Sequence, residues 1–154
     1  MKFPYSVNIS PAIDTGEEIV LLRPEVPLRV HGPSGVAHVQ ALVDTGADNC
    51  IFPQSIASLL GIRTTRGMGP GATAFGGQQI ELSFAEVELE LDDDEHPPIR
   101  WTARLYFADF PEDEEKTVIL GHEGFLDFFV ATFDGKDCVL ELAPTEDMPL
   151  IGGT

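Results

Sequence analysis

Short segments in which every second residue is apolar constrain the fold of this chain more than any other feature. In VPLRV, the side chains of Val26, Leu28 and Val30 share one face, which is the period expected of a half-buried strand. The residues PSG then mark a turn before a second apolar run, VAHVQALV. Residues 26–43 are therefore predicted to form a β-hairpin.

The next elements are a helix and a second pair of strands. PQSIASLLG is predicted as a short helix that begins at Pro53 and ends at Gly61. Two alternating segments, ending in ELEL and beginning with IRWT, are predicted to pair around the acidic residues between them. The apolar positions of the first segment change phase near Ala85 and Glu86, which predicts a β-bulge or a bend there.

The pairing of those two segments, 86–91 with 99–107, fixes specific cross-strand neighbours. Glu86 then faces Arg104. The same register brings Glu90 opposite Arg100. Pairs of opposite charge across an antiparallel ladder contribute about 0.2–1 kcal/mol each.

The rest of the chain completes a mainly β pattern. TVILGHEGFLDFF is predicted as a short strand followed by one or two helical turns, and VATFDGKDCVLEL as a closing hairpin. The final residues, 144–154, are predicted to be a loose tail. Many short strands with one or two short helices indicate a mainly β domain, closed or sandwich-like.

The charge of the chain excludes some partners. Of 154 residues, 9 are Lys or Arg and 26 are Asp or Glu, which gives a formal net charge of −17. A nucleic-acid site needs clustered Lys and Arg, so no nucleic acid is expected, and anionic membrane surfaces are equally disfavoured. The acidic runs DDDE and PEDEE are predicted to be solvated loops, with a field that favours basic substrates as the alternative.

Export, disulfides and metal binding are not expected either. No apolar run suits a signal peptide or the roughly 18 residues of a membrane span, so the cytoplasm is the expected location. Cys50 and Cys138 make no disulfide framework, and Cys50 is predicted to be a small core side chain. The four histidines show no metal-ligand spacing, so neither a metal nor a cofactor is expected.

The tripeptide Asp-Thr-Gly occurs twice, at 14–16 and at 44–46. Asp14 has no apolar strand before it, and Asp and Gly are common turn residues, so a turn is predicted there. Asp44 follows the apolar run VQALV and is soon followed by CIF. A carboxylate at the tip of a buried strand has to be compensated, and the neighbouring threonine hydroxyl and backbone N–H groups can do this. Asp44 is therefore the candidate for chemistry.

From 23 to 143 the sequence resembles the retropepsin-like aspartic proteases, the family of retroviral proteases and their cellular relatives. RPEVPLRVHG resembles their first strand, and ALVDTGAD resembles their catalytic strand and loop. The glycine-rich GMGPGATAFGG falls where their flap falls, and VILG at 118–121 resembles their second signature. The resemblance implies a closed β-barrel of the acid-protease fold with one or two short helices, flanked by an N-terminal segment, 1–22, and a C-terminal tail, 144–154.

The resemblance also implies a homodimer that acts on a peptide or protein substrate. Two chains would share one site, because two neighbouring carboxylates have to hold one proton between them. The implied catalytic residues are Asp44, Thr45 and Gly46. The implied substrate-binding residues are Ala47, Asp48 and a flap tip at Gly69, Pro70 and Gly71, while Leu120, Gly121 and His122 support the site from behind.

One position departs from the family pattern. Retroviral members carry an arginine where this chain has His122, and that arginine pairs with an aspartate at the position of Asp48. Here the corresponding pair would depend on pH.

Two functions from different classes remain open. The intact Asp-Thr-Gly at 44–46 favours an aspartic endopeptidase. The alternative is a catalytically silent retropepsin-like module that binds peptides or dimerises without cutting.

Overall fold

The computed structural model describes residues 1–69, 72–73, 79–110 and 117–151. In chain order, its strands are β1 (Lys2–Pro4), β2 (Ser6–Pro11), β3 (Glu18–Arg23), β4 (Glu25–Gly32), β5 (Gly35–Val43), β6 (Ile51–Pro53), β7 (Thr65–Arg66), β8 (Ala72–Thr73), β9 (Gln79–Ile80), β10 (Leu82–Leu91), β11 (Ile99–Ala108), β12 (Val118–Leu120), β13 (Phe129–Asp134) and β14 (Val139–Pro144). Across these residues there is one α-helix, α1 (Gln54–Leu60), and one 3-10 turn, Leu126–Phe128.

Six of these strands close into a barrel. Their order around it is β10, β4, β5, β12, β6 and β11, and β11 pairs with β10 to complete the circle. The β12–β5 and β11–β6 pairs are parallel, whereas β4–β5 and β10–β11 are antiparallel hairpins. Closure leaves these strands without open edges. The prediction of a mainly β, closed barrel with one or two short helices is confirmed.

The β4–β5 hairpin and helix α1 form one end of the barrel. Gly32 pairs with Gly35 across the turn, as the hairpin prediction requires. Helix α1 begins after Pro53 and ends at Gly61, whose φ of 67° is the left-handed conformation that glycine adopts at low cost. The N–H of Ser34 donates to the carbonyl of Leu60 at 3.0 Å, so α1 packs beside the β4–β5 turn.

The β10–β11 ladder has the predicted register but no bulge. Glu86 pairs with Arg104, and Glu90 pairs with Arg100. The ladder runs without interruption from Leu82 to Leu91, so the predicted bulge near Ala85 is wrong. The apolar pattern changes phase because of the position of Phe84.

Phe84 lies on the outer face of the ladder, where other side chains cover it. The guanidinium carbon of Arg104 lies 5.0 Å from its ring centroid, and the ring of Tyr106 is 6.3 Å away. This cover makes an apolar side chain stable on the outside of the strand.

An aromatic cluster joins the barrel to the segment after β12. The ring of Phe125 lies 4.9 Å from that of Phe129 and 6.1 Å from that of Trp101, between centroids. The indole N–H of Trp101 donates to the carbonyl of Gly124 at 2.9 Å, which satisfies its one polar atom. The chain that follows β12 is therefore fixed against β11.

A second, three-stranded sheet of β1, β14 and β13 packs beside the barrel and buries Phe3, Leu140 and Leu142. The residues after it are not the predicted loose tail. Met148 is buried, and the N–H of Ile151 donates to the carbonyl of Arg100 at 2.9 Å.

Strands β2 and β3 form a separate hairpin. They pair with each other from Ser6 opposite Arg23 to Pro11 opposite Glu18. In the described residues, neither strand joins the barrel or the three-stranded sheet. A search of those same residues for membrane-crossing helices finds none with enough length and apolar character.

Candidate active site

Asp44 lies where β5 ends, at the barrel end opposite α1. The N–H of Asp44 donates to the carbonyl of Leu120 at 2.9 Å. One residue earlier, the N–H of Val43 donates to the carbonyl of Pro24 at 3.0 Å. Hydrogen bonds to two different neighbouring segments therefore fix the backbone that carries the half-buried Asp44 side chain.

The loop after Asp44 turns back onto its carboxylate. The N–H of Gly46 donates to Asp44 Oδ1 at 2.8 Å, and the N–H of Ala47 donates to the Asp44 carbonyl at 3.2 Å. A Cβ atom at Gly46 would lie only 3.2 Å from the same carboxylate oxygen. The glycine thus leaves room for the N–H to orient the Asp44 carboxylate.

The segment after β12 supports the loop from behind. Strand β12 runs parallel to β5, with Leu120 beside Val43. The N–H of His122 donates to the Ala47 carbonyl at 3.0 Å, and the N–H of Glu123 donates to the Asp48 carbonyl at 2.9 Å. These bonds extend the β5–β12 contact past the end of both strands.

Gly121 is the residue that permits this close approach. A Cβ atom there would lie 2.4 Å from the carbonyl oxygen of Asn49 and 2.5 Å from that of Ala47. Both distances are far below a van der Waals contact, and both partners are backbone atoms. Any side chain at 121 would push the catalytic loop away from β12.

The ring of His122 contacts the Thr45 backbone and not Asp48, with which the sequence allowed only a pH-dependent pair. Its Nε2 lies 2.8 Å from the carbonyl oxygen of Thr45, and because a carbonyl only accepts, Nε2–H is the donor. Throughout the described part of the chain, no ion pair joins His122 to Asp48. A neutral ring can make the bond to Thr45, so this contact does not require a protonated histidine.

Cys50 has the core position that the sequence predicts. It is fully buried, and its Sγ–H donates to the carbonyl of Glu123 at 3.2 Å. Burial raises the pKa of the Cys50 thiol to about 12. The thiolate is therefore scarce near neutral pH, which argues against a nucleophilic role.

The glycine-rich segment contains a short two-stranded ribbon. Ala72 pairs with Ile80, and Thr73 pairs with Gln79. The predicted tip at 69–71 precedes the first of these two strands in the sequence. The high density of glycines suggested a tip at 69–71. Where a hairpin turns depends instead on which residues of its two strands pair.

The three residues predicted at the tip can be placed only in part. Gly69 lies in a bend before β8, and Pro70 and Gly71 lie outside the described residues. The N–H of Gly67 donates to the carbonyl of Leu82 at 2.9 Å, which fixes the start of the segment against β10.

The first Asp-Thr-Gly has the turn position predicted for it. Asp14 lies in the connection between β2 and β3, where the N–H of Gly16 donates to the carbonyl of Ala12 at 2.8 Å. Gly16 has a φ of 72°, a left-handed conformation that suits a turn. Asp14 is exposed and has no strand like β12 beside it in the described residues.

One group of side chains, in which Glu95 and His96 are exposed, has the composition of a metal site. Ligand atoms of Asp93, Glu95 and His96 lie within 4.8 Å of one another. The N–H and ring Nδ1 of His96 contact the Asp93 carboxylate at 2.8 and 2.7 Å. Burial opposes ionisation of Asp93, but these hydrogen bonds outweigh it and lower the pKa of that carboxyl. The group therefore has a sufficient explanation as a closed acidic turn.

Two clefts on the barrel wall lie apart from the catalytic loop. One, of about 340 Å³, is lined by residues that include Arg29, Gln40 and Glu90. The other, of about 390 Å³, is lined by residues that include Phe84 and Arg104. Neither of these two clefts is lined by a residue of 44–48.

Sequence reasoning missed the acceptors that hold the loop. The carbonyl groups of Pro24, Thr45 and Leu120 fix the catalytic segment, and every residue type carries a carbonyl. Gly121 is the one sequence feature that indicates how closely the loop after β5 and the segment after β12 approach each other.

Comparison with known proteins agrees with this geometry. The model of a family described as aspartyl protease matches residues 26–123. No curated protein matches the sequence. Among solved structures, the chain is similar to the retroviral protease-like domain of Ddi1 from Leishmania major, with 18% identity over 85% of this chain and 95% of that one, at a TM-score of 0.51.

A second similar structure is the EIAV protease in complex with the inhibitor HBY-793. It has 22% identity, covers 65% of this chain and 82% of its own, and has a TM-score of 0.44. The family match covers more than half of the 154 residues and includes the catalytic loop and the segment behind it. This chain therefore belongs to the aspartyl protease family and has a retropepsin-like fold.

Proposed function

We propose that this protein is an aspartic endopeptidase that acts as a homodimer, with one Asp44 from each copy in a shared site. The observation that carries the proposal is the position of Asp44. Its carboxylate is oriented by the Gly46 N–H at 2.8 Å, while its backbone is bonded to β12. Asp92 and Asp134 accept the same kind of N–H in ordinary turns. The weight of the proposal therefore rests on the combination of this contact with the bonding of the Asp44 backbone to β12.

The chemistry requires two such carboxylates. Two carboxylates about 3 Å apart cannot both ionise, so the pair holds one proton. The ionised member takes a proton from a water molecule that attacks the scissile carbonyl, and the protonated member donates to the carbonyl oxygen. Because the two groups titrate together, the pair has shared pKa values rather than one for each aspartate.

A second copy is the natural source of the second carboxylate. Asp14 is the other aspartate in an Asp-Thr-Gly, and it lies in the exposed β2–β3 turn. Asp44 itself is half-buried, and Thr45 and Gly46 after it are exposed. A two-fold axis beside Asp44 would bring two identical loops together and cover both.

Peptide substrate would lie between the paired loops and the β8–β9 ribbon. In this proposal, Ala47 and Asp48 border the catalytic loop and contact the substrate backbone. The β8–β9 ribbon acts as the flap. Its glycines supply the backbone freedom that closure requires.

The test is digestion of an unfolded protein mixture, with and without pepstatin, at several pH values from acidic to neutral. We expect cleavage that pepstatin blocks. Asp44→Asn should abolish it, and Asp14→Asn should leave it unchanged. Circular dichroism has to show that both variants are folded.

The same experiment separates the alternative function. A folded wild-type dimer that binds pepstatin but cuts nothing would identify a silent peptide-binding module. Equal loss of activity in Asp44→Asn and Asp14→Asn would contradict the assignment of Asp44.

A further inference from the structure

The hairpin of β2 and β3, residues 6–23, is called the arm here, and one of its faces is apolar and uncovered. Val7 lies opposite Leu22, and Ile9 lies opposite Val20. Directly opposite residues of an antiparallel pair project to the same side. These side chains are 68%, 47%, 70% and 63% exposed, respectively.

An arm of this kind needs a partner. A two-stranded hairpin that is isolated in water is marginally stable at best. Exposed apolar side chains that form one patch mark an interaction surface, whereas scattered ones do not. At the end of the arm, Ile13 is also fully exposed.

The arm begins beside the catalytic loop. Pro24 directly follows β3, and its carbonyl accepts the N–H of Val43, the residue before Asp44, at 3.0 Å. The side-chain amide of Asn8 donates to Glu25 Oε1 at 2.9 Å and fixes the base of the arm to β4. The arm therefore leaves the barrel at the same end as Asp44.

The arm is long enough to reach a neighbour. Six residues of antiparallel strand span about 20 Å. A compact domain of this size has a radius of gyration of about 15 Å. An arm that starts at the Asp44 face can therefore extend over a second copy placed against that face.

The four apolar side chains of this face carry no charge. Each chain has a net charge of −17, so contact between two copies costs least where uncharged surfaces meet. Asp14 and Glu17 lie in or beside the terminal turn of the arm, and Glu18, opposite Pro11, projects to the apolar side at its far end. The four apolar side chains nearer the base of the arm have no acidic residue among them, and a two-fold axis would present the same face from both copies.

We propose that the apolar face of the arm docks on a second copy of this chain at the Asp44 end of the barrel and holds the two half-sites together. This inference rests on the homodimer of the proposed function. It adds the surface that makes the dimer: the side chains of Val7, Ile9, Val20 and Leu22.

The test compares two matched double variants by sedimentation over a range of concentrations. Ile9→Ser with Val20→Ser removes apolar surface from the arm. Val36→Ser with Leu59→Ser removes it from side chains that are 46% and 71% exposed near the opposite end of the barrel. We expect the first pair to raise the dimer dissociation constant by about tenfold or more and the second to leave it unchanged.

Two further measurements keep the result decisive. Val7→Ser with Leu22→Ser should weaken the dimer as the first pair does, and circular dichroism has to show the barrel spectrum in every variant. At concentrations where the arm variants are fully dimeric, cleavage per dimer should equal that of the wild type. Arm variants that dimerise as tightly as the wild type would overturn the inference, as would a wild type that is monomeric at every concentration.

The outcome separates this inference from the proposed function. A wild-type dimer that depends on the arm but cleaves no peptide supports the docking surface and contradicts the endopeptidase. A dimer that cleaves peptide and ignores the arm variants contradicts only the docking surface.

Discussion

Gly121 shows at the scale of one residue how closely the catalytic loop and the segment after β12 approach. A methyl group there would lie 2.4 and 2.5 Å from two backbone carbonyl oxygens. We expect Gly121→Ala to lower the free energy of unfolding by about 1–3 kcal/mol, as overpacking usually does, and to lower cleavage because the loop that carries Asp44 has to move.

Gly135→Ala is the matched control for that change. A Cβ atom at Gly135 would meet nothing within 4 Å, and the residue lies in the β13–β14 turn. Urea unfolding of both variants measures the difference. Equal urea midpoints for Gly121→Ala and the wild type would contradict the prediction. They would show that the loop can move away from residue 121 without lowering the free energy of unfolding.

For single residues, the sequence predicted burial better than it predicted contacts. The roles of Asp14 as a turn residue and Cys50 as a core residue could be predicted, because flanking apolar residues reveal burial. The contact of His122 could not be predicted. Its partner is the Thr45 carbonyl, and a backbone acceptor leaves no mark on residue identity.

At the scale of elements, one ion-pair cluster joins three barrel strands. Glu90 of β10 is only 8% exposed; Oε1 lies 3.0 Å from the Nε2 of His31, and the carboxylate also contacts Arg29. Burial opposes ionisation of Glu90, but these hydrogen bonds and charges outweigh it and lower its pKa below the ordinary 4.5. Arg100 of β11 completes the cluster, at 3.6 Å.

The lowered pKa of Glu90 determines how the stability of the folded protein changes with pH. Because the pKa of Glu90 is lower in the folded state, its contribution to stability is complete above pH 4.5 and is lost as pH falls through the folded value. We expect Glu90→Gln to lower the free energy of unfolding by about 1–3 kcal/mol at neutral pH and to have a shrinking effect at lower pH.

Glu81→Gln is the comparison for this prediction. The Glu81 side chain is 81% exposed and pairs with Arg66, which is 78% exposed. Exposed pairs contribute little, so its unfolding curve should match that of the wild type. A cost of Glu90→Gln that stays constant from neutral to acidic pH would contradict the role of the ionised carboxylate.

The β8–β9 ribbon gives a second prediction at this scale. If it closes over bound peptide, amide hydrogen exchange across 67–81 should slow when pepstatin binds, because closure protects backbone N–H groups. The β4–β5 turn at the far end of the barrel serves as the internal reference. Unchanged exchange across 67–81 with pepstatin demonstrably bound would argue against a lid.

Elements differed in how far the sequence predicted them. The β4–β5 and β10–β11 hairpins could be predicted because alternation and opposite charges define both face and register. The bulge near Ala85 was wrong because apolar Phe84 lies on the outer face beneath Arg104. The flap tip predicted at 69–71 stays a prediction, because Pro70 and Gly71 lie outside the described residues.

At the scale of the whole molecule, net charge should control assembly. Each chain carries −17, so a dimer concentrates like charges, and repulsion is strongest at neutral pH and low salt. We expect higher activity at mildly acidic pH, where surface carboxylates gain protons and the Asp44 pair holds its one proton. At neutral pH we expect salt to raise activity, by less as enzyme concentration rises.

The concentration dependence identifies the cause of the salt effect. Screening cannot drive association further once every chain is paired, whereas an effect on chemistry would persist at all concentrations. Sedimentation at neutral pH in low and high salt, beside the activity assay, measures this directly. A complete dimer at every salt concentration would refute the role of repulsion.

The parallel pairing of β5 with β12 has a consequence for the order in which the molecule folds. The hydrogen bond from His122 to Thr45 joins residues 77 positions apart in sequence, and such distant contacts form slowly because a long loop has to close first. When a ribosome has synthesised only the first hundred residues, Asp44 has already left the ribosome. The segment after β12 that supports it has not yet been made. During synthesis, the emerging chain therefore carries the loop after β5 without the segment that supports it, and this part of the structure is completed only when the last third of the polypeptide has been made.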